Sequence, residues 1–367
     1  MLARRAAILG LCAAGFGAAT FAAATARADD PFYKGKRLSV LVNYAPGGPT
    51  DIEGRLMARH LAKHLDGQPL IIVQNMDGAG GVVGSSHLGE VAPKDGSVVG
   101  YFTGSAWVYA MNPEKHHADF RSYEFVAYQP GTTVYYVRSD VPPGLKAPTD
   151  LSKAQGVVAG GLAADNSKDL LLRLTLDMLG VPYKYVTGYR SNQTARLALQ
   201  QREINFFAES PPGYRSVVEP SLVKDGTVVP LFYDPGWDGE KFHVPKQIEG
   251  LSLPPFQDFY AKIKGSPPSG QLWDVYLASL AINASMQRLV VLPPGAPKAA
   301  VEALQAALLR LNNDPAFAED AAKAIGFVPE YVAGPETNRQ VRQALTVKPE
   351  VRSFVLDYIK AGRAAKN

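Results

Sequence analysis

The sequence predicts an α/β protein built from two successive α/β units. Three observations carry that prediction. Short β-type runs alternate with stretches of helical spacing, the pattern of mostly parallel sheets covered by helices. The alternation begins near residue 38 and restarts near residue 156. A chain of 367 residues also exceeds one ordinary core and suits two domains.

The elements follow in order. Leu38 to Asn43 (LSVLVN) reads as a strand, followed by the Gly/Pro loop Tyr44 to Pro49. Thr50 then opens a helix whose Met57, Leu61 and Leu65 recur at spacing four. Thr50-x-x-Glu53 has the form of a capping box, and Gly67 ends the helix. Pro69 to Gln74 is the second strand, Gly78 to Gly81 leads into another helix, and Ser97 to Phe102 is the third strand. After the restart, Gly156 to Gly160 is a strand and Asn166 to Leu179 a Leu-rich helix stopped by Gly180. Tyr183 to Val186 is a strand, a polar loop feeds a helix to about Gln201, and Glu203 to Phe207 is a further strand. Residues 233–275, with several Pro and Gly, read as irregular. Arg288 to Leu292 is a strand, and the helix from Pro297 to Leu311 carries Val301, Leu304, Leu308 and Leu311 on one face. Short crossovers are expected to join the two units.

Composition excludes several classes. Hydrophobic residues make up 46% and charged residues 20%, both near globular averages. A net charge of +4, from 38 basic and 34 acidic residues, is too balanced for a nucleic-acid binder. The single cysteine, Cys12, excludes a disulfide scaffold and cysteine-rich metal sites.

That cysteine falls in an export leader. Arg4 and Arg5 form a basic n-region, an Ala-rich apolar stretch follows, and Ala26-Arg27-Ala28 is an A-x-A cleavage site before Asp29. The stretch is Ala and Gly rather than Leu and Ile, which argues against a membrane anchor. Leu11 before Cys12 does not suit a lipoprotein signal. Removing residues 1–28 takes away three arginines and no acid, leaving a net charge of +1 and no cysteine. The mature product reads as exported, not inserted in a membrane, and nearly neutral.

Catalytic and cofactor motifs fail. Gly78-Ala-Gly80 would need a glycine at 83 for a dinucleotide fingerprint, and position 83 is Val83. There is no P-loop and no nucleophile elbow. His60 and His64 lie at i, i+4 without the Glu of a zinc helix and read as solvent-facing; His116 and His117 are adjacent and point apart. Neither a cofactor nor a metal is expected.

Three loop-to-helix junctions remain. Tyr44 to Asp51 places Gly47 and Gly48 where main-chain N–H groups can approach a ligand at a helix N-terminus, a setting that suits a carboxylate or phosphate. The same residues read equally well as a plain turn. Gly160 to Ser167 (GGLAADNS) is a second glycine turn before a helix. In Gly188 to Thr194, Ser191 or Asn192 can cap a helix, and Arg190 supplies a cation that suits an anion or else a solvated surface. In an open α/β sheet, ligands bind beyond the carboxyl ends of strands, where these loops sit. Tyr44, Tyr189 and Trp107 are aromatics that would stack on an aromatic acid or pack in the core.

Tyr44-x-Pro-Gly-Gly-x-x-Asp51-x-x-x-Arg55 resembles the opening signature of the Bug-type receptors, the extracytoplasmic solute-binding proteins of tripartite tricarboxylate transporters. Asn75-x-x-Gly-Ala-Gly-Gly81 with Gly84, then Pro93-Lys-Asp-Gly96, is similar to their second signature. Val181-Pro-Tyr183 and Leu292-Pro-Pro-Gly-Ala-Pro297 resemble two later ones, so the resemblance spans roughly residues 30–345. It implies a type II periplasmic-binding-protein fold with a ligand cleft between two lobes, residues 29–132 with 236–367 forming one and 133–235 the other. It also implies a periplasmic, monomeric, non-enzymatic receptor that captures a small organic acid and hands it to membrane transporter subunits. Carried over from the family, the ligand loops are Tyr44, Ala45, Gly47, Gly48, Thr50 and Asp51 in the first lobe. In the second they are Gly160, Gly161, Asp165, Asn166, Ser167, Tyr189, Arg190, Ser191 and Asn192, and Glu209 is added as an acidic candidate.

The chain departs from the family at Leu162 to Asp169 and at Tyr189 to Asn192, and residues 233–285 read as longer than usual, which bears on the ligand class. Two other functions compete: a periplasmic enzyme acting on a small acid, with Asp51, Asp165 and Glu209 as its acids, and a protein presenting its ligand to an extracytoplasmic sensor.

Overall fold

Along the chain, β1 (Arg37–Val42), α1 (Pro49–His64), β2 (Leu70–Asn75), α2 (Val82–Glu90), β3 (Val98–Thr103), α3 (Ser105–Met111) and β4 (Glu124–Gln129) come first. Next are β5 (Val134–Arg138), β6 (Val157–Gly161), α4 (Ser167–Leu179), β7 (Tyr183–Thr187), α5 (Asn192–Gln200) and β8 (Phe206–Glu209). The short α6 (Pro211–Gly213) runs into a π-helical stretch, Tyr214–Val223, before β9 (Val228–Tyr233). A small hairpin of β10 (Gly236–Trp237) and β11 (Phe242–His243) precedes α7 (Phe256–Lys264) and α8 (Gln271–Asn283). The chain closes with β12 (Arg288–Leu292), α9 (Lys298–Leu311), α10 (Pro315–Ile325), β13 (Val332–Ala333), α11 (Thr337–Ala344) and α12 (Pro349–Ala364). This computed structural model describes residues 30–237, 240–283 and 286–364. The expected leader, with Cys12 and the cleavage site, lies outside the described residues. The described residues from 31 onward belong to one compact unit.

The strands form two main sheets, in the orders β13-β4-β12-β3-β1-β2 and β7-β6-β8-β5-β9. Every strand read from the sequence is present, within three residues at its ends. Both sheets are mixed rather than mostly parallel. β1 pairs parallel with β2 and β3, and β6 with β7 and β8, as the βα alternation requires. β12 is antiparallel to β3 and β4, and β5 to β8 and β9. These strands bring the chain from one sheet into the other, so they enter without a covering helix and need not follow the parallel rule.

The first crossover, residues 130–133, is short as expected. The return is not: it takes residues 234–287 and contains α7 and α8, where the sequence reads as irregular. Aromatic residues close this segment onto the second sheet. Phe256, Phe259 and Tyr276 are buried with Phe232, Leu170 and Leu174, and α7 and α8 pack against α4. Residues 256–283 thus pack mainly on the second sheet, with α8 also meeting α3 and α12, although the sequence groups them with the C-terminal part. Trp107 and Met111 of α3 and Val355 and Ile359 of α12 join the same core.

One local expectation fails in an informative way. The capping box at Thr50 does not form. The helix starts a residue earlier, with Gly48 as N-cap, Pro49 in its first turn and no side-chain cap. A proline there supplies the fixed φ a helix start needs and has no N–H to satisfy. Thr50 and Glu53 are thereby free for other work: Thr50 Oγ1 lies 2.9 Å from Thr103 Oγ1, and Glu53 is buried against Arg288.

His60 is also not solvent-facing. It is buried where α10 packs on α1, with Nε2 2.9 Å from Asp320 Oδ2, while His64 Nε2 meets Asp314 Oδ2 at 2.9 Å. His116 and His117 do point apart, one buried and one exposed beside Glu90.

Candidate functional site

The carboxyl ends of both sheets face one cleft. It is lined from the first sheet by Tyr44, Gly48, Pro49, Thr50, Thr103 and Gly104, and from the second by Leu162, Asn166, Ser167, Lys168, Ser191 and Asn192. Thr133, Gln287 and Arg288 line it where the chain passes between the sheets, and Ser210 just after β8. Counting its mouth, the cleft holds about 550 Å³ of empty space.

Three helices begin at this cleft. The first turns of α1, α4 and α5 supply Pro49 and Thr50, Ser167 and Lys168, and Asn192. Each helix start presents backbone N–H groups that lack an intrahelical acceptor, and with them partial positive charge. Asn166 caps α4 by accepting from the Lys168 N–H at 3.0 Å, and Ser191 caps α5 by accepting from the Thr194 N–H at 3.2 Å.

The opening signature holds its own loop in shape. Asp51 accepts the Gly47 N–H at 2.9 Å, the Arg55 Nε at 2.9 Å and the Asn75 Nδ2 at 2.8 Å. Asn75 also donates to the Tyr44 carbonyl and accepts from Arg55 Nη2, each at 2.9 Å. Burial pulls the Asp51 carboxyl upward, but these donors hold it below the usual carboxylate range. The second loop repeats the device with Asp169, whose Oδ2 accepts the Leu162 and Ala163 N–H groups at 2.5 and 2.8 Å. Asp51 and Asp169 each stand third in their helix, where a carboxylate can fold back to the preceding loop.

The second signature is also structural. Gly78, Gly80 and Gly81 all have positive φ, and a Cβ on Gly81 would come within 2.4 Å of Asn43 Nδ2. Asn43, which nothing in the sequence singles out, joins the ends of β1 and β3: it donates to the Thr103 carbonyl and accepts from the Thr103 N–H, both at 3.0 Å.

The two sides of the cleft touch directly. Asn166 Nδ2 donates to Tyr44 Oη at 3.0 Å, and Tyr44 Oη donates to the Gly80 carbonyl at 2.9 Å. Burial raises the Tyr44 phenol well above its ordinary range, so it stays neutral. Trp107 donates to the Asp165 carbonyl at 2.9 Å, and Lys115 pairs with the Asp165 carboxylate. Arg190 pairs with Asp77 at 2.9 Å.

The sequence-derived candidates therefore divide. Tyr44, Gly48, Thr50, Asn166, Ser167, Ser191 and Asn192 line the cleft. Ala45, Gly47 and Asp51 sit behind the first loop. Gly160 and Gly161 end β6, where a Cβ would strike Ile204 or Tyr185, so close packing demands them rather than a ligand. Asp165 is spent on Lys115. Arg190 is 76% exposed and held by Asp77 outside the cleft lining. Tyr189 is half-buried against the core of the second sheet, and Trp107 is 1% exposed; neither lines the cleft. Glu209 is fully buried, paired with Arg196 and 3.2 Å from the Tyr136 hydroxyl. Burial raises its carboxyl, against the pull of Arg196 and Lys168.

The sequence reading misses Lys168 and Arg288. Lys168 is noted only as a departure from a family pattern, and Arg288 as the first residue of a strand. Their position at loop and crossover ends beside the other site loops is a signal that emerges only once the topology is known. Among the described residues, no group of three or more His, Cys, Asp or Glu is placed to hold a metal, and no helix is long and apolar enough to cross a membrane.

The fold is shared with solved periplasmic binding proteins. Comparison with known proteins agrees. No family model matches the chain. It is 33% identical over 165 residues to an Agrobacterium vitis protein named UPF0065, covering 41% of this chain and 46% of that one. It is 45% identical over 53 residues to BugT of Bordetella pertussis, covering 14% and 16%. The chain thus spans less than half the length of the curated relatives it matches. Among solved structures, the periplasmic binding protein BugD aligns with a TM-score of 0.65 at 19% identity, over 89% of this chain and 98% of its own. MatC from Rhodopseudomonas palustris with bound malate gives 0.64 at 17%, over 88% and 99%. A further R. palustris protein, with adipate, gives 0.65 at 16%, over 89% and 97%. In sequence and fold the chain is similar to the Bug-type periplasmic binding proteins, as its signatures imply.

Proposed function

We propose that the chain is an exported Bug-type solute-binding receptor that captures a small organic acid between two lobes and delivers it to a tripartite tricarboxylate-type membrane transporter. The lobe boundaries fall near residues 132 and 235, with 256–283 riding on the second lobe. The observation that carries this reading is the meeting of three helix N-termini, one from the first sheet and two from the second, in one narrow cleft. Such ends favour negative charge. Hydroxyl and amide side chains of Thr50, Ser167, Ser191 and Asn192 surround them. The malate and adipate in the structurally similar proteins support a carboxylate.

Charge-assisted hydrogen bonds contribute roughly 1.5–3 kcal/mol each. Three or four of them approach the ~8 kcal/mol of a micromolar complex before association costs. A mature net charge of +1 leaves the attraction to these local groups rather than to the whole molecule.

The enzyme reading loses its acids. Asp51, Asp165 and Glu209 are each engaged by a cation and do not line the cleft. Among the structurally similar proteins, BugD is a periplasmic binding protein and a TctC protein from Polaromonas a solute binding protein, which supports a receptor without turnover.

A thermal-shift screen of the chain lacking residues 1–28 tests the proposal. Di- and tricarboxylates, including malate and adipate, should raise Tm by several degrees at concentrations well above Kd. A rise with neutral sugars or cations and none with acids overturns it. Co-purification with membrane transporter subunits, rather than with a sensor, tests delivery.

A further inference from the structure

We infer that Arg288 is the residue that makes this cleft select a carboxylate over its amide; the inference rests on the receptor reading above. Arg288 is 1% exposed, opens β12 and lines the cleft. Its Nε donates to Glu53 Oε2 at 2.6 Å. Glu53 Oε1 in turn accepts from Gln129 Nε2 at 2.9 Å, and Gln129 Oε1 from the Tyr101 hydroxyl at 3.3 Å. The guanidinium is thus gripped along one edge by a buried network drawn from α1, β3 and β4.

The other edge is not gripped. Nη2 reaches only Ser210 Oγ, at a long 3.4 Å, and Nη1 has no hydrogen-bond partner among the described residues although it is buried. A guanidinium carries five N–H donors and no acceptor, and a buried donor left unpaired is costly. A buried ion pair is itself weak evidence of stabilisation, since apolar side chains of the same volume often serve as well. Here the pair fixes the guanidinium where Arg288 joins Thr133, Ser210 and Gln287 in the cleft lining, with Nη1 and Nη2 left without a strong partner.

The Nη1/Nη2 end matches a carboxylate. Two parallel N–H donors meet two acceptor oxygens, and the long Ser210 contact gives way. A primary amide presents one acceptor and one N–H₂ donor to the same fork, so donor faces donor. Sites built to hydrogen-bond one group reject the analogue that leaves buried donors unpaired. Lys168, the other cation in the lining, does not offer this shape. Its ammonium is a point charge, 2.9 Å from Asp169 Oδ1 and 4.3 Å from the centre of the Phe207 ring.

The test measures binding of malate and adipate, and of their monoamides and diamides, by calorimetry. Three chains are compared: the parent, Arg288→Lys, and the double variant Glu53→Gln with Arg288→Met. The double variant removes both buried charges together, so that neither ion is stranded, and its ligand-free Tm reports whether it folds. The parent should prefer acid to diamide by about 100-fold or more. Arg288→Lys should cut acid affinity at least tenfold and collapse the acid-to-amide ratio, because a lysine keeps the charge and loses the fork. If acids bind the parent and the ratio survives in both variants, Arg288 is merely structural and the inference falls, while the anion receptor stands. If amides and sugars bind the parent and acids do not, both fall.

Discussion

At the scale of single residues, the side chains that carry the family signatures mostly shape loops, and the ones beside them face the cleft. Tyr44 does both. Its hydroxyl joins Gly80 in its own half to Asn166 across the cleft. Tyr44→Phe leaves both partners unpaired and should destabilise the ligand-free protein by about 1–2 kcal/mol, read as a lower urea midpoint with unchanged m. Arg190 makes the opposite case. A cation in a polar loop before a helix reads as an anion ligand, yet it closes an exposed pair with Asp77. Exposed pairs are worth about 0–1 kcal/mol. Arg190→Ala should therefore leave the affinity for the best acid unchanged and move stability little. A tenfold loss of affinity would return Arg190 to the site.

At the scale of elements, helix starts shape the cleft, and glycines set the starts of α1 and α2. Gly81 precedes α2 with φ 96°, and a side chain there would drive into Asn43, which ties β1 to β3. Gly81→Ala combines left-handed strain with a collision and should cost on the order of 1–3 kcal/mol. A Tm within a degree of the parent would show that the loop relaxes without loss. Helices α1, α2, α4, α5 and α9 were legible from apolar spacing, turn residues and glycine stops, while α3 and α10 to α12 went unread. Helices α7 and α8 were not legible either: their aromatic faces are read as irregular because Pro and Gly flank them and no regular stripe survives. Their packing on the second sheet supplies the order that local pattern lacks.

At the scale of the whole molecule, the passage between the sheets is itself a built device. Thr132 Oγ1 donates to the Asp234 carbonyl at 2.5 Å, the Asp234 N–H donates to the Thr133 carbonyl at 2.9 Å, and Gln287 Nε2 donates to the Thr132 carbonyl at 2.8 Å. The Asp234 side chain accepts from the Tyr135 and Tyr276 hydroxyls, each at 2.8 Å. Burial pushes this carboxyl from 3.8 up to about 7, against the pull of Tyr276, Tyr135 and Thr133. Between those values the folded chain keeps a proton that the unfolded chain has released. Stability contributed here is therefore full at low pH, falls as pH rises toward about 7, and then levels. His116 opposes it: burial, then His117 and Lys115, lower its pKa from 6.5 to about 4, so stability rises with pH across that range. Comparing the parent with Asp234→Asn isolates the carboxyl. The Tm difference should move in favour of the variant from about pH 5 to about pH 8, and a constant difference would show that Asp234 does not titrate there.

The sequence by itself determined the βα units, the loop-to-helix junctions, seven of the cleft-lining residues and the likeness to a receptor family. Each follows from local rules: spacing of apolar residues, turn chemistry and short signatures. Only the tertiary structure decided which junction residues face the cleft, since a loop has a front and a back that no spacing encodes. It also decided the mixed sheets, the docking of 256–283 and the place of Arg288. That arginine opens an ordinary strand in sequence. It lies at the cleft because the chain crosses between two sheets there, and such long-range return is paid for by buried contacts far apart along the chain, such as Glu53 with Arg288.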